Sequence, residues 1–373
     1  MKILFICSSL EPGKDGVGDY TRRLACELVN QGVLVSIIAL NDKFVSNLIN
    51  EEQCDEEHCI PVLRLPASWQ TTERLKHAKQ YIDYFNPEWL SLQFVIFGHH
   101  PKGLPFGFGK QLKALGEGRK WHLMFHELWV GMARESPVKE KYWGLVQKQI
   151  IRNLVKSINP QVINTQSGLY RAQLAKINIQ SDFLPLFGNV PVNKLNSRQA
   201  DANKLTLIVF GTIHPGSLIQ DFVSEAAEYV VKYPEAKLSV EIIGKNGGEL
   251  DRWVLAWENA GFNVKIWGEQ PVDTIAKVLS NASLGISSSA FTMIEKSGTV
   301  AAMREYGLNV IGVGNAYHPK GIADLTPPDG IFEYKPGNFE FCISKINGAP
   351  SVINVNYVAK LLKTTLTDNK PKN

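Results

Sequence analysis

The chain is predicted to be an α/β protein built from two doubly wound domains in tandem, each a parallel sheet covered by helices. Three observations carry this prediction. Short apolar runs alternate with longer stretches of helical character, the pattern of parallel strands joined by helical crossovers. At 373 residues the chain exceeds the usual size of one hydrophobic core, so two domains of roughly 150 to 200 residues are expected. A strand running into a glycine also occurs twice, as Ile3–Cys7 ahead of Gly16 and as Leu207-Ile208-Val209-Phe210-Gly211-Thr212.

The apolar runs of the first domain are Ile3–Cys7, Leu34–Leu40, Trp89–Phe97, Leu123–Phe125 and Val162–Thr165. After the first comes Gly16-Val17-Gly18-Asp19-Tyr20-Thr21-Arg22-Arg23-Leu24-Ala25, which reads as a glycine loop entering a helix that runs to about Gln31. Gly16 and Gly18 lack a Cβ and let the backbone turn sharply beside a ligand, while Asp19 or Thr21 is expected to cap the helix. A helix N-terminus under such a loop favours anions. Thr21 stands where the third glycine of G-x-G-x-x-G belongs, which argues against a nicotinamide or flavin cofactor. A proline-flanked crossing, Leu184-Pro185-Leu186-Phe187-Gly188-Asn189-Val190-Pro191-Val192, leads into the polar Asn193–Lys204. The domains are placed at 1–187 and 188–350. The second domain continues with runs at Leu205–Phe210, Ser239–Ile243, Val264–Trp267, Leu284–Ser287 and Asn309–Val313. Residues 351–373 follow a Gly-Ala-Pro break, with a helix over Val352–Lys363 packing back on the first domain and a frayed polar tail over Thr364–Asn373. In such sheets ligands bind outside the carboxyl ends of the strands, so the cleft between two such domains is the expected site.

Composition narrows the function classes. Apolar residues make up 44% and charged residues 20%, as in a well-packed globular protein. A net charge of +4 is too small to imply a nucleic-acid partner. The chain has no run of about 20 apolar residues, and its N-terminus enters a strand directly, so a cytoplasmic protein is expected. Lys102, Lys110, Lys113, Arg119 and Lys120 interleave with Leu104, Phe106, Phe108, Leu112 and Leu115. That stretch reads either as a surface for peripheral contact with the inner face of an anionic membrane or as a solvated helix face. Five scattered cysteines, Cys7, Cys26, Cys54, Cys59 and Cys342, fit reduced thiols. The Cys54–Cys59 segment matches no closed zinc pattern and reads as a solvated acidic loop, so no metal is expected.

Several stretches together resemble the family-four retaining glycosyltransferases of the GT-B fold, in which two Rossmann-like domains face a cleft. They are Gly16–Ala25, Leu92-Gln93-Phe94, Phe125-His126-Glu127-Leu128, Gly268-Glu269, and Ser297-Gly298-Thr299-Val300-Ala301-Ala302-Met303 leading to Gly307-Leu308-Asn309-Val310-Ile311. They span most of the chain in the expected order. The resemblance implies a nucleotide-sugar co-substrate with no further cofactor and no metal, and a saccharide or lipid-linked acceptor. It places His126 beside the donor's sugar with Glu127 next to it as the catalytic positions. Gly16, Val17, Gly18, Gly211, Thr212, Lys245, Gly268, Glu269, Glu295, Lys296, Ser297, Gly298 and Thr299 fall on the donor side, and Asp19, Tyr20 and Gln93 on the acceptor side.

The residues themselves fit that chemistry. A histidine beside a departing diphosphate can hydrogen-bond sugar hydroxyls or settle developing charge near neutral pH; the same histidine also reads as a satisfied structural side chain. Glu295-Lys296-Ser297-Gly298-Thr299 brings an ammonium, a hydroxyl and backbone N–H groups to a helix start, a sensible diphosphate site. The chain departs from the commonest family pattern in two places. Ala301 occupies the position of the second of two glutamates spaced seven apart. Thr212, Ile213, His214 and Gly216 follow Phe210-Gly211 where the family often places an arginine and a lysine. Phosphate binding then rests on Lys296 and the glycine loops, aided by Lys245. Two function classes follow: a transferase using a UDP- or GDP-sugar, and a degenerate GT-B protein that binds a nucleotide sugar or a partner without turnover.

Overall fold

In the computed structural model the described residues are 1–55, 57–192, 204–322, 325–326, 328–346 and 348–369, and they fall into two compact units. The first runs from Met1 to Pro185 and takes in Lys320–Ile322 and the helix that starts at Val355, while the second begins at Leu186. The stretch 193–203, where sequence places a polar linker, lies outside the described residues.

The strands of the first unit are β1 (Lys2–Cys7), β2 (Leu34–Asp42), β3 (Ile49–Asp55), β4 (His58–Pro66), β5 (Trp89–Phe94), β6 (Lys120–Phe125), β7 (Val162–Thr165) and β8 (Asp182–Phe183). Among the described residues they form one sheet in the order β3-β4-β2-β1-β5-β6-β7-β8. Every pairing is parallel except β3 with β4. Helices α1 (Gly16–Asn30), α2 (Thr71–Phe85), α3 (Phe108–Leu115), α4 (Val138–Ile158) and α5 (Gly168–Ala175) connect them. The central strands are apolar because both faces are covered: Ile3 to Cys7 and most of β5 and β6 are fully buried. Asn86 and Asn159 end α2 and α4 in the left-handed conformation, which asparagine tolerates better than most residues.

The second unit holds β9 (Lys204–Phe210), β10 (Lys237–Ile243), β11 (Val264–Gly268), β12 (Leu284–Ser287), β13 (Val310–Gly312) and β14 (Ile331–Glu333). All are parallel, in the order β11-β10-β9-β12-β13-β14. Its helices are α6 (Ile219–Lys232), α7 (Leu250–Asn259), α8 (Val272–Asn281), α9 (Gly298–Glu305) and α10 (Phe339–Ile343). One core gathers Phe222, Trp253, Trp257 and Phe339 with Leu207 and Val209 of β9, and a second gathers Leu279, Val300 and Met303 with Ile208. Alternate residues of β9 thus feed opposite faces, as a two-residue repeat requires. The fold class expected from sequence, α/β with two doubly wound parallel sheets, is the one observed.

The last helix, α11 (Val355–Asp368), belongs to the first unit. It buries Val358, Ala359, Leu362 and Leu366 and packs on α1. Asn356 Nδ2 donates to Glu27 Oε1 at 2.7 Å, and Lys363 Nζ donates to Gln31 O at 2.7 Å. The frayed tail expected from Thr364 onward is corrected as far as Asp368. Leu366 has apolar surface to bury, and the Thr365 and Thr367 hydroxyls bond back to the carbonyls of Leu361 and Lys363.

Two further expectations are corrected. The cysteines are not all reduced: Cys54 and Cys59 form a disulfide, because the acidic segment is the end of an antiparallel hairpin whose register sets them opposite each other. Cys7, Cys26 and Cys342 remain buried thiols, and burial pushes Cys26 and Cys342 up to about 11. The cap of α1 is neither Asp19 nor Thr21 but Asp15, which accepts from Val17 N at 3.0 Å and Gly18 N at 2.8 Å. Asp19 instead accepts from Gly13 N and pairs with Arg22. In the basic stretch at 102–120, Phe108, Leu112 and Leu115 face inward and Phe106 is exposed. Among the described residues no helix is long and apolar enough to cross a membrane.

The two glycines of the first loop differ in what they make room for. A Cβ on Gly18 would lie 2.6 Å from the Ser9 carbonyl oxygen, whereas one on Gly16 meets nothing within 4 Å. Gly18→Ala is therefore expected to cost on the order of 1–3 kcal/mol through backbone displacement. Gly16→Ala should be neutral or stabilising by up to ~1 kcal/mol, since alanine is the better helix former. Chemical denaturation of the two variants checks this, and equal stabilities would refute it.

Candidate functional site

Both sheets reverse their winding direction once, between β1 and β5 in the first unit and between β9 and β12 in the second. At such a switch point the loops leaving the two strands diverge to opposite faces and open a crevice. The polar groups of each unit gather there.

In the second unit β9 is followed by Gly211, whose φ of +84° suits glycine and whose absent Cβ leaves room for the Thr299 methyl group. The following loop is held against the end of β10: Gly211 N donates to Ile243 O, and Asn246 Nδ2 donates to Gly211 O. Ser288, just past β12, receives the His214 amide on its hydroxyl at 2.8 Å. Opposite these loops stands the N-terminus of α9, where Ser297 is the cap. Its Oγ accepts from Val300 N and meets Thr299 Oγ1 at 3.0 Å.

Two cavities open at this point. One of about 180 Å³ is lined by Thr212, His214, Ser288, Ser297, Gly298 and Thr299 among others. One of about 450 Å³ shares His214, Ser288, Ser289 and Ser297 and adds Met293, Lys296 and Asn315. Hydroxyls, helix-terminal amides and one ammonium thus surround the same space, a setting for a polyanion.

The structure therefore brings together Gly211, Thr212, Lys296, Ser297, Gly298 and Thr299. Glu295 lies on the 3₁₀ turn Phe291–Lys296 just ahead of α9. Lys245 and Glu269 lie on the neighbouring loops after β10 and β11, and Gly268 ends β11 with its O accepting from Gly244 N; none of the three lines either cavity. Ser288, Ser289 and Asn315 were not singled out from sequence. The signal for the serines was present in Ser287-Ser288-Ser289, a hydroxyl run closing a buried strand.

In the first unit His126 follows β6, buried, with its ring against Tyr20 at 4.9 Å in an edge-on arrangement. Burial pushes the Tyr20 hydroxyl up, with the Gln166 side chain opposing the shift. Glu127 is half-buried, and its charge helps raise Tyr170, whose shift is mainly due to burial. Gly16, Val17 and Gly18 form the first turn of α1 with Asp19, but the Val17 and Gly18 amides are already taken by the Asp15 carboxylate. This helix start therefore carries its own anion.

Gln93 belongs to a chain of side chains crossing three strands whose hydrogen bonds fix one another's direction. Asn164 on β7 donates its Nδ2 to the Asp182 carbonyl, which can only accept, so its Oδ1 faces His122 at 3.1 Å. His122 must then carry its proton on Nε2, and its Nδ1 accepts from the Ser91 hydroxyl at 2.7 Å. Ser91 Oγ in turn accepts from Gln93 Nε2 at 2.8 Å, which aims Gln93 Oε1 at His126 Nε2, 2.8 Å away. The relay thus holds the His126 proton on Nε2. Ser91, His122 and Asn164 were not identified from sequence, although polar residues inside apolar strand runs were their signal.

No protein-family model matches the chain, and no curated protein sequence matches it. Solved structures do. A sucrose-phosphate synthase from Thermosynechococcus elongatus superposes with a TM-score of 0.63 at 14% identity, over 99% of this chain and 98% of the other. Anabaena Alr3699/HepE, solved with UDP and glucose, gives 0.57 at 14% identity, over 99% and 100%. The lipopolysaccharide outer core galactosyltransferase WaaB gives 0.56 at 13%, over 99% of both chains. The fold is that of GT-B glycosyltransferase structures. At such identity the likeness concerns architecture and leaves the reaction to be argued from the site.

Burial holds the His122 imidazole down at about 4, against a partial opposing effect of Asn164. An unfolded histidine takes its proton near 6.5, so between those two values the unfolded chain binds a proton that the folded one refuses. Stability is fully present above about pH 6.5 and falls on acidification, by on the order of 2–3 kcal/mol at pH 4.5 from this group. Urea unfolding at a series of pH values and the His122 ring signals in NMR check this; an imidazole titrating near 6.5 would refute it. The relay also predicts that ring ¹⁵N shifts report His126 as the Nε2–H form, and that Gln93→Leu produces a mixture of tautomers.

Proposed function

We propose that the protein transfers a sugar from a UDP- or GDP-sugar to a saccharide or lipid-linked acceptor, with retention of configuration. The observation that carries this reading is the pair of adjoining cavities at the β9/β12 switch point, with Lys296, Ser297 and the N-terminus of α9 on their walls. A diphosphate placed there meets an ammonium, hydroxyls and a positive helix end together, a match worth several hydrogen bonds to charged oxygen.

The reading needs no protein nucleophile. The leaving diphosphate takes the proton from the attacking acceptor hydroxyl on the same face, so the protein's task is to position the reactants and to stabilise charge as it forms on the leaving group. Lys296 and the α9 amides do the second. His126, its tautomer held by Gln93, accepts a hydrogen bond from a hydroxyl of the transferred sugar on Nδ1, with Glu127 beside it. Ala301 and Thr212, which stand where the commonest pattern has a glutamate and a basic residue, favour a second reading, binding of a nucleotide sugar without turnover.

A thermal-shift panel of nucleoside diphosphates and their sugars tests donor binding. A ligand at 100 times its Kd should stabilise the protein by about 2.7 kcal/mol, and Lys296→Ala should weaken that ligand at least tenfold. With acceptor present, nucleoside diphosphate should be released, and His126→Ala should cut that rate by about 100-fold or more while leaving the melting curve cooperative. Binding without release across a broad acceptor panel would select the second reading. Absence of binding to every nucleotide would overturn both.

A further inference from the structure

A third polar cavity lies wholly within the first unit, bounded by the end of β2, the start of α2, the loop after β5 and the start of α3. Its volume is about 290 Å³, at the small end of sites for small molecules. Its floor is unusual in its electrostatics. Arg74 enters from α2 with its guanidinium half-buried, and its hydrogen bonds go to the Leu40 carbonyl, the Asn41 amide oxygen and the Thr71 hydroxyl. All three are neutral, and none of the residues lining the cavity is acidic. The Arg74 Nε is buried with no hydrogen-bond partner. A guanidinium removed from water without a counter-charge is costly, and so is an unmet buried donor.

The neighbouring histidines continue the pattern. His99 is stacked between Phe94 and Phe108, at 6.2 and 4.4 Å, and its Nε2 is also buried without a partner. Burial and the Arg74 charge hold His99 down at about 3, so it remains neutral and does not repel the arginine. His100 accepts the Lys102 and Leu104 amides on Nδ1, which places the proton of the neutral ring on Nε2 as a donor. Phe106, 67% exposed, stands at the rim.

We propose that this cavity is a binding site for a phosphomonoester, with Arg74 as its counter-charge, His100 as a second donor and Phe106 against the body of the molecule that carries the phosphate. An anion there lies beside the Arg74 guanidinium and balances the charge that the fold leaves uncompensated. Phosphate suits the site better than a planar carboxylate, because Arg74 Nη1 already makes both of its hydrogen bonds and cannot join a two-pronged grip, leaving one N–H on Nη2. Two sources share this chemistry, a soluble sugar phosphate and the headgroup of a phospholipid.

The site stands independently of the transfer reading, whose phosphate-binding groups belong to the other unit, and its test uses neither nucleotide nor turnover. Isothermal titration of the full chain with inorganic phosphate, glucose 6-phosphate and glucose, alongside sedimentation with phosphatidic acid vesicles, separates the sources. Saturable binding of glucose 6-phosphate but not of glucose identifies the soluble ligand. Vesicle binding that inorganic phosphate competes away identifies the lipid headgroup. Either result supports the site provided that Arg74→Gln weakens binding at least tenfold and His100→Ala weakens it about threefold or more. His100 lies on a loop, so its variant keeps the test open should Arg74→Gln fail to fold. Failure of every phosphate probe to bind, equal binding of glucose and glucose 6-phosphate, or binding indifferent to both substitutions would overturn the proposal.

Discussion

Parallel pairing decides where chemistry can happen in each unit. Strands that all run one way must be joined by crossovers, and the crossovers cover both faces with helices, so the strands become apolar throughout. Polar side chains then have two places to go. They can sit past the carboxyl ends, where loops and helix starts supply partners, or lie within the sheet if they satisfy one another completely. Thr212, Ser288 and Ser297 take the first course, and Ser91, His122 and Asn164 the second.

The buried relay shows how costly polar groups in a sheet can still give a definite result. One carbonyl, that of Asp182, orients the amide of Asn164, and each later group inherits its direction from the one before. A single tautomer reaches His126 without any charged residue taking part. Hydrogen bonds in such a chain reinforce one another, and every member is satisfied, which avoids the penalty that a half-paired network would carry. The same rule accounts for Asp42, fully buried yet met by Ser9, Leu10, Phe44 and Arg64.

Much of this was legible in the sequence, and what was not has physical causes. Runs such as Leu205–Phe210 and Val162–Thr165 announce themselves because continuous burial demands continuous apolarity. The hairpin of β3 and β4 escaped notice because β3, Ile49-Asn50-Glu51-Glu52-Gln53-Cys54-Asp55, is a polar edge strand whose stability comes from its partner. The disulfide depended on that same pairing and so was hidden with it. Gly211, Thr212 and the Lys296–Thr299 segment were visible as strand and helix ends. Ser91, His122 and Arg74 were not, since nothing local to a polar residue says which neighbours will surround it. Asp15 was passed over in favour of Asp19 and Thr21 because helix starts shift by a residue or two without altering the apolar pattern.

The return of α11 to α1 has a consequence for the order in which the chain can be assembled. In chain order the second unit is inserted within the first, whose helix α11 follows it. During synthesis from the N-terminus, the later-starting unit has all its strands before the earlier one can cover the surface of α1. The first unit must therefore wait, with the patch destined for Val358, Leu362 and Leu366 open to water, while its insert is completed.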